Sequence, residues 1–122
     1  MSTTLVQLLV GGFLIAHGLV HGLYFAPPEA DDPKWAFHLD RSWILDHLRV
    51  DPSAWRRIGL SLSVVVIAAL VLAGLGVWVS VDAWRVLAVA GAAVGLVLFA
   101  LFWHRWLWIG TLMNAAIIAA LV

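Results

Sequence analysis

The chain has no cysteine, which removes disulfides, thiolate nucleophiles, iron–sulfur clusters and thiolate zinc sites from consideration. Charge is nearly as scarce. Asp, Glu, Lys and Arg make up 11% of the 122 residues, where ordinary soluble domains carry about a quarter. Seven basic and seven acidic residues cancel to a formal net charge of zero, so nothing in the balance points to nucleic acid or to strong attraction by anionic headgroups. The opening Met1-Ser2-Thr3-Thr4 holds no Lys or Arg. A cleavable signal peptide with a basic n-region is a poor reading of it, and the apolar run that follows reads as a retained first span.

What remains is apolar. Hydrophobic residues make up 64% of the chain, and its mean hydropathy is +1.02. A domain of this size cannot hide so much apolar surface in one core. The charges are also confined: 11 of the 14 fall between Glu29 and Arg57. Four charge-free stretches result, 1–28, 58–81, 86–104 and 106–122, of 28, 24, 19 and 17 residues. A bilayer-crossing helix needs ~20 apolar residues, within a range of roughly 17 to 25. The expectation is an all-α integral membrane protein: a single four-helix transmembrane bundle over residues 1–122, with an amphipathic loop segment between helices 1 and 2.

Helix 1 is expected over 4–25, stopped by Pro27-Pro28, because proline cannot continue the hydrogen-bond ladder. In the loop 26–52, Asp32-Pro33 reads as a cap followed by proline at the first helical position. Trp35, Leu39, Trp43, Ile44 and Leu48 then recur among charged residues. That pattern predicts one or two short amphipathic helices at the membrane surface, with Trp35 and Trp43 as anchors; a re-entrant lid over the bundle is the alternative. Asp51-Pro52 opens helix 2, expected over 53–79, whose Trp55, Arg56 and Arg57 suit the headgroup zone. Ser80-Val81-Asp82 supplies a turn and cap for helix 3, over 82–103, and helix 4 follows His104-Arg105 over 106–122. Seventeen residues rise only about 25 Å, short for a bilayer.

Gly18/Gly22, Gly91/Gly95, Ala88/Ala92 and Ala115/Ala119 are small-residue pairs at four-residue spacing, suited to close helix packing within the protein or in an oligomer. Six of the seven Lys and Arg, all but Arg85, fall on the loop side. The positive-inside rule then places both termini outside and the loop 26–52 in the cytoplasm of a multi-pass cell-membrane protein.

Polar side chains inside a span are costly and by default mark function. Here they are His17 and His21 in helix 1, Ser61 and Ser63 in helix 2, and Thr111 and Asn114 in helix 4. Counted from the loop-side helix ends at ~1.5 Å per residue, His17 and Asn114 both lie about 12 Å deep, His21 and Thr111 roughly 6 to 8 Å, and Ser61 roughly 10 Å. His17, His21, Ser61, Thr111 and Asn114 are therefore the candidate ligand-binding residues. His17 and His21 share a helix face at i, i+4. Three readings are open: interhelical hydrogen bonding alone, a pocket for a hydrophobic small molecule such as a quinone, lipid or pigment, or a metal or haem site in which His104 joins the pair. Loop residues His38, Asp40, Asp46 and His47 become further ligands only if the loop folds back. Of eight tryptophans, six lie on the loop side and Trp78 and Trp84 opposite, an arrangement that reads as two interfacial belts or as an aromatic-walled pocket mouth.

The stretch Ile15-Ala16-His17-Gly18-Leu19-Val20-His21, with Ser42-Trp43-Ile44-Leu45 and Phe102-Trp103-His104, resembles small uncharacterised bacterial four-helix membrane proteins, broadly DoxX-like in size and layout. The similarity covers most of the chain in pattern, through short apolar motifs. Members of that group often carry an acidic residue near the position of Asn114. Asparagine there departs from the pattern and weakens any role needing an intramembrane carboxylate. The resemblance implies no activity. The residues favour a non-catalytic membrane protein: an accessory subunit, or a binder of a hydrophobic small molecule. It would sit in the lipid bilayer among other membrane subunits or copies of itself. The competing expectation is a redox subunit or enzyme holding haem or metal on His17, His21 and His104.

Overall fold

A computed structural model describes residues 2–26 and 34–122. The expected helix stop at Pro27-Pro28 and the cap at Asp32-Pro33 lie outside the described residues. Among the described residues all regular structure is helical. α1 (Thr3–Val20) begins at Ser2, whose hydroxyl accepts from the Leu5 N–H at 3.2 Å, and tightens into a 3-10 turn over His21–Phe25. α2 is a five-residue helix, Trp43–His47, capped by Ser42. α3 (Pro52–Trp78) starts as Asp51-Pro52 predicts: the Asp51 carboxylate accepts from the Ser53 N–H at 3.0 Å, and proline occupies the first turn. Hydrogen bonds from the Ser53 amide and hydroxyl hold the Asp51 carboxyl below its ordinary range. α4 spans Trp84–Leu101, and a 3-10 turn, Arg105–Leu107, leads into α5, Trp108–Leu121.

The main departure in helix boundaries is around α4. Its N-cap is Ala83, with no side-chain cap, and it ends at Leu101 instead of Trp103. The turn before it is made by Ser80, which takes a left-handed φ of 58°. This lets Val81 N–H reach the Gly76 carbonyl at 2.9 Å and Ser80 N–H the Val77 carbonyl at 3.4 Å. Those two bonds close α3 with the six-to-one and five-to-two pattern that usually recruits glycine. Arg49, with φ 57°, closes α2 the same way, through bonds from Val50 to Leu45 and from Arg49 to Asp46.

Three helices are long and apolar enough to cross a membrane: Thr3–Phe25, Pro52–Trp78 and Trp84–Leu101. The fourth, Arg105–Leu121, is apolar but shorter. α1 packs on α3, α3 on α4 and α4 on α5. Glycines set the closest approaches. A Cβ on Gly74 would lie 2.5 Å from the Gly11 carbonyl oxygen, and one on Gly18 2.9 Å from the Leu70 Cβ. Gly22, by contrast, meets nothing within 4 Å, so the expected Gly18/Gly22 pair is in fact Gly11 and Gly18, two turns apart against α3. Gly91, Gly95, Ala88 and Ala92 are buried as expected, whereas Ala115 and Ala119 face outward.

The interior divides into two clusters. Leu14, Val66, Leu70, Ala73, Ala88 and Ala92 belong to the one away from the long loop. Tyr24, Leu39, Trp55, Phe99, Phe102 and Leu107 belong to the one beneath it. The described part of the loop, from residue 34, packs against the helix ends. Leu39 presses against Gly59, Ser42 Oγ donates to the Leu101 carbonyl, and Trp43 Nε1 donates to the Ala100 carbonyl at 2.8 Å. The loop thereby uses carbonyls that α4 leaves unpaired at its C-terminus. Trp55 is not a headgroup anchor: it is buried, and its indole N–H is spent on the Val50 carbonyl at 3.1 Å.

Candidate functional site

α1 turns Leu14, His17, His21 and Tyr24 inward, at i, i+3, i+7 and i+10, and all four are buried. Helical periodicity accounts for that face. The change to a 3-10 turn at His21 has a chemical consequence. The His21 backbone N–H turns to the Gly18 carbonyl, one residue short of its α-helical partner. Its imidazole Nδ1 donates instead to the His17 carbonyl at 3.0 Å. A carbonyl only accepts, so the proton is on Nδ1 and Nε2 carries a lone pair.

His17 Nε2 lies 2.8 Å from Asn114 Oδ1 on α5, in a fully buried hydrogen bond. The amide oxygen accepts, so His17 holds its proton on Nε2. Equal depth, read from rise per residue, thus becomes direct contact. The rings build a stack around the bond. Phe13 lies parallel to His17 at 5.8 Å, His17 meets His21 edge-on at 5.4 Å, and His21 stacks on Phe99 at 5.2 Å. Glycine makes the room. A Cβ on Gly95 would stand 2.7 Å from Asn114 Nδ2, and one on Gly110 would stand 2.8 Å from the Phe99 ring.

Three buried polar atoms on α1, its 3-10 turn and α5 have no hydrogen-bond partner: His21 Nε2, Tyr24 Oη and Asn114 Nδ2. One is an acceptor and two are donors. Leaving such a group unpaired costs ~1–3 kcal/mol each, so each calls for a water or a ligand.

Beside the pair, α1 and α5 part to form a groove of about 350 Å³. Val10 and Phe13 line it from α1, Met113, Ile117 and Leu121 from α5, and Trp84 from the far end of α4. His17 is one turn beyond Phe13, and Asn114 lies between Met113 and Ile117. The groove therefore runs away from the long loop, not toward it; the His17–Asn114 bond lies about one helical turn beyond its lining, and neither residue lines it. Its size and wholly apolar lining suit a small apolar ligand.

The other predicted residues scatter. Ser61 is exposed on the outer face of α3 and does not reach the histidines; Ser63 is the buried serine, and its hydroxyl donates to the Gly59 carbonyl at 2.8 Å. Thr111 likewise bonds back within its own helix turn, to the Leu107 carbonyl at 2.9 Å. His104 does not join His17 and His21; its ring meets His38 at 5.9 Å. Among the described residues no three His, Asp or Glu side chains converge as a metal-ligand set. Sequence reasoning passed over Tyr24, although its seven-residue spacing from His17 placed it on the same face. His38, named only as a further ligand should the loop fold back, is buried; the sequence carried no signal of that burial, because it depends on how the loop folds. No protein-family model, curated protein or solved structure matches the chain.

Proposed function

We propose that this chain is a four-span, non-catalytic membrane protein that holds one amphipathic apolar molecule, a quinone or single lipid tail, in the groove between α1 and α5. The observation that carries this reading is a wholly apolar groove between α1 and α5, about one helical turn from the buried His17–Asn114 bond and the unpaired Asn114 amide. The groove takes the tail, and the Asn114 amide N–H and the His21 lone pair offer a donor and an acceptor to a carbonyl or hydroxyl head. The bilayer placement is supported by three spanning-length helices whose outer faces expose large apolar residues, Leu8, Leu9 and Val86 among them. α5 is the fourth span. The lysine and arginine distribution puts the loop 26–52 in the cytoplasm and both termini outside. The DoxX-like layout belongs to the same proposal. So does service as an accessory subunit beside other membrane proteins.

Extraction of the protein in mild detergent, followed by mass spectrometry of co-purified quinones and lipids, tests it. The expected result is a stoichiometric apolar molecule in the wild type and its loss from Ile117→Trp, which fills the groove. A wild type carrying no more than an unrelated membrane protein handled in parallel overturns the reading. An optical spectrum with a Soret band would replace it with a haem protein.

A further inference from the structure

Of the seven Lys and Arg, Arg85 alone lies away from the long loop. It is the second residue of α4, and its guanidinium carbon sits 5.7 Å from the ring of Trp84, within cation–π range. Trp84 is fixed in place. A Cβ on Gly76 would stand 2.9 Å from the Trp84 Cβ, and the side chain packs against the cluster that holds Leu70 and Ala88. The same tryptophan lines the α1–α5 groove, so the cation stands beside one end of an apolar channel. Arg85 is exposed, and among the described residues it forms no ion pair, Asp82 on the preceding turn included.

The two ends of the groove differ in depth. Trp84 is the first residue of α4 and Leu121 the last of α5, so this end lies at the helix ends. In the bilayer placement above, that is the level where an indole and a charged side chain both meet water. Met113, at the other end of the lining, is eight residues before Leu121, about 12 Å deeper along α5. An ionised head is strongly disfavoured at that depth. At the Trp84 end it stays hydrated and meets Arg85. A guanidinium offers paired N–H donors to the two oxygens of one carboxylate. Between the ends the lining is apolar, and about 350 Å³ suits a single chain.

We propose that the α1–α5 groove binds a free fatty acid, with its tail running from Trp84 toward Phe13 and its carboxylate paired with Arg85. The proposal rests on the reading of the groove as the site of one amphipathic apolar molecule, and it adds the charge of the head and the end at which it sits. A neutral head can turn toward Asn114; an ionised one cannot. Native mass spectrometry of the protein released from a neutral detergent tests it, with dodecanoate or dodecanol titrated at a pH where the acid is ionised. The wild type is expected to bind dodecanoate roughly tenfold more tightly than dodecanol. Arg85→Gln should remove that preference and leave dodecanol binding as it was. Arg85 is exposed, so the ligand-free melting temperature should hold in this variant. Ala116→Phe, which fills the groove from an exposed position, should abolish binding of both compounds. Equal binding of the two by the wild type, or a preference that survives Arg85→Gln, overturns the proposal and leaves the groove reading in place. Binding that survives Ala116→Phe, or no binding of either compound, overturns the groove reading itself.

Discussion

The two halves of the molecule are built on different principles. Away from the loop, backbones close on one another through glycine and alanine: Gly11 against Gly74, Gly91 against Leu70, Gly76 against Trp84. Beneath the loop, rings and hydrogen bonds fill the space: Phe13, His17, His21 and Phe99 in one stack, Tyr24 edge-on to Phe37 at 5.2 Å. In the proposed bilayer setting, dispersion between close backbones holds helices together, since lipid gives no hydrophobic drive to associate. Side-chain hydrogen bonding adds less per contact but fixes which helix meets which. The far half thus supplies cohesion, and the loop half supplies specificity and the chemistry.

The contrast breaks most sharply at Gly74. Gly74→Ala places a methyl 2.5 Å from the Gly11 carbonyl and 2.6 Å from Ile15. Overpacking against backbone is expected to cost ~3 kcal/mol or more, read as loss of the folded fraction in detergent-based unfolding. In the loop half, Asn114→Ala strands the His17 N–H and should cost ~1–3 kcal/mol. The double variant His17→Leu with Asn114→Leu should recover most of that loss, because both partners of the bond are then gone; a double-mutant cycle measures the coupling.

Protonation of His38 should come next. Burial chiefly, then Arg41 and His104, pushes its pKa below the ordinary 6.5, against an upward pull from Asp40 and the Trp103 carbonyl. The unfolded chain therefore binds the proton more readily than the folded one. Stability is full above about pH 6.5 and falls as the pH drops below it through the folded value. His38→Gln should flatten that part of a stability–pH curve. The smallest effects separate neighbours: Ser63→Ala should cost about 1 kcal/mol and Ser61→Ala nothing measurable. Tyr24→Phe should be neutral, because its hydroxyl has no protein partner. A loss above ~1 kcal/mol would reveal a bound water or ligand there.

Much of this was legible in the sequence, for identifiable reasons. Charge-free runs marked the helices within a few residues, because charges collect at helix ends and in the loop. Rise per residue brought His17 level with Asn114. Depth alone cannot resolve which way a side chain points, and Ser61 and Ser63 show the limit. Two residues apart, they are separated by about 200° around the axis, so one is buried and the other faces outward. A short helix in the loop was expected, but the loop's path was not legible: among the described residues its helix has five residues, and hydrogen bonds to α4 over nearly 60 positions fix its course. Trp43 and Trp103 line a cleft with His38 and His104, not with the α1 pair that the expected aromatic mouth was to cover.

The bond between His17 and Asn114 joins residues 97 positions apart, and that separation has a bearing on biogenesis. α1 and α3 can pair while the rest of the chain is still being made. The contact with α5 must wait until α5 has been released from the ribosome, and it closes 97 positions of chain into one loop. Such long-range contacts come late in assembly. A chain truncated within α5 would keep its glycine-packed half and leave the histidine unpartnered. An unpartnered polar group in a bilayer is a mark by which quality control can tell an unfinished protein from a finished one.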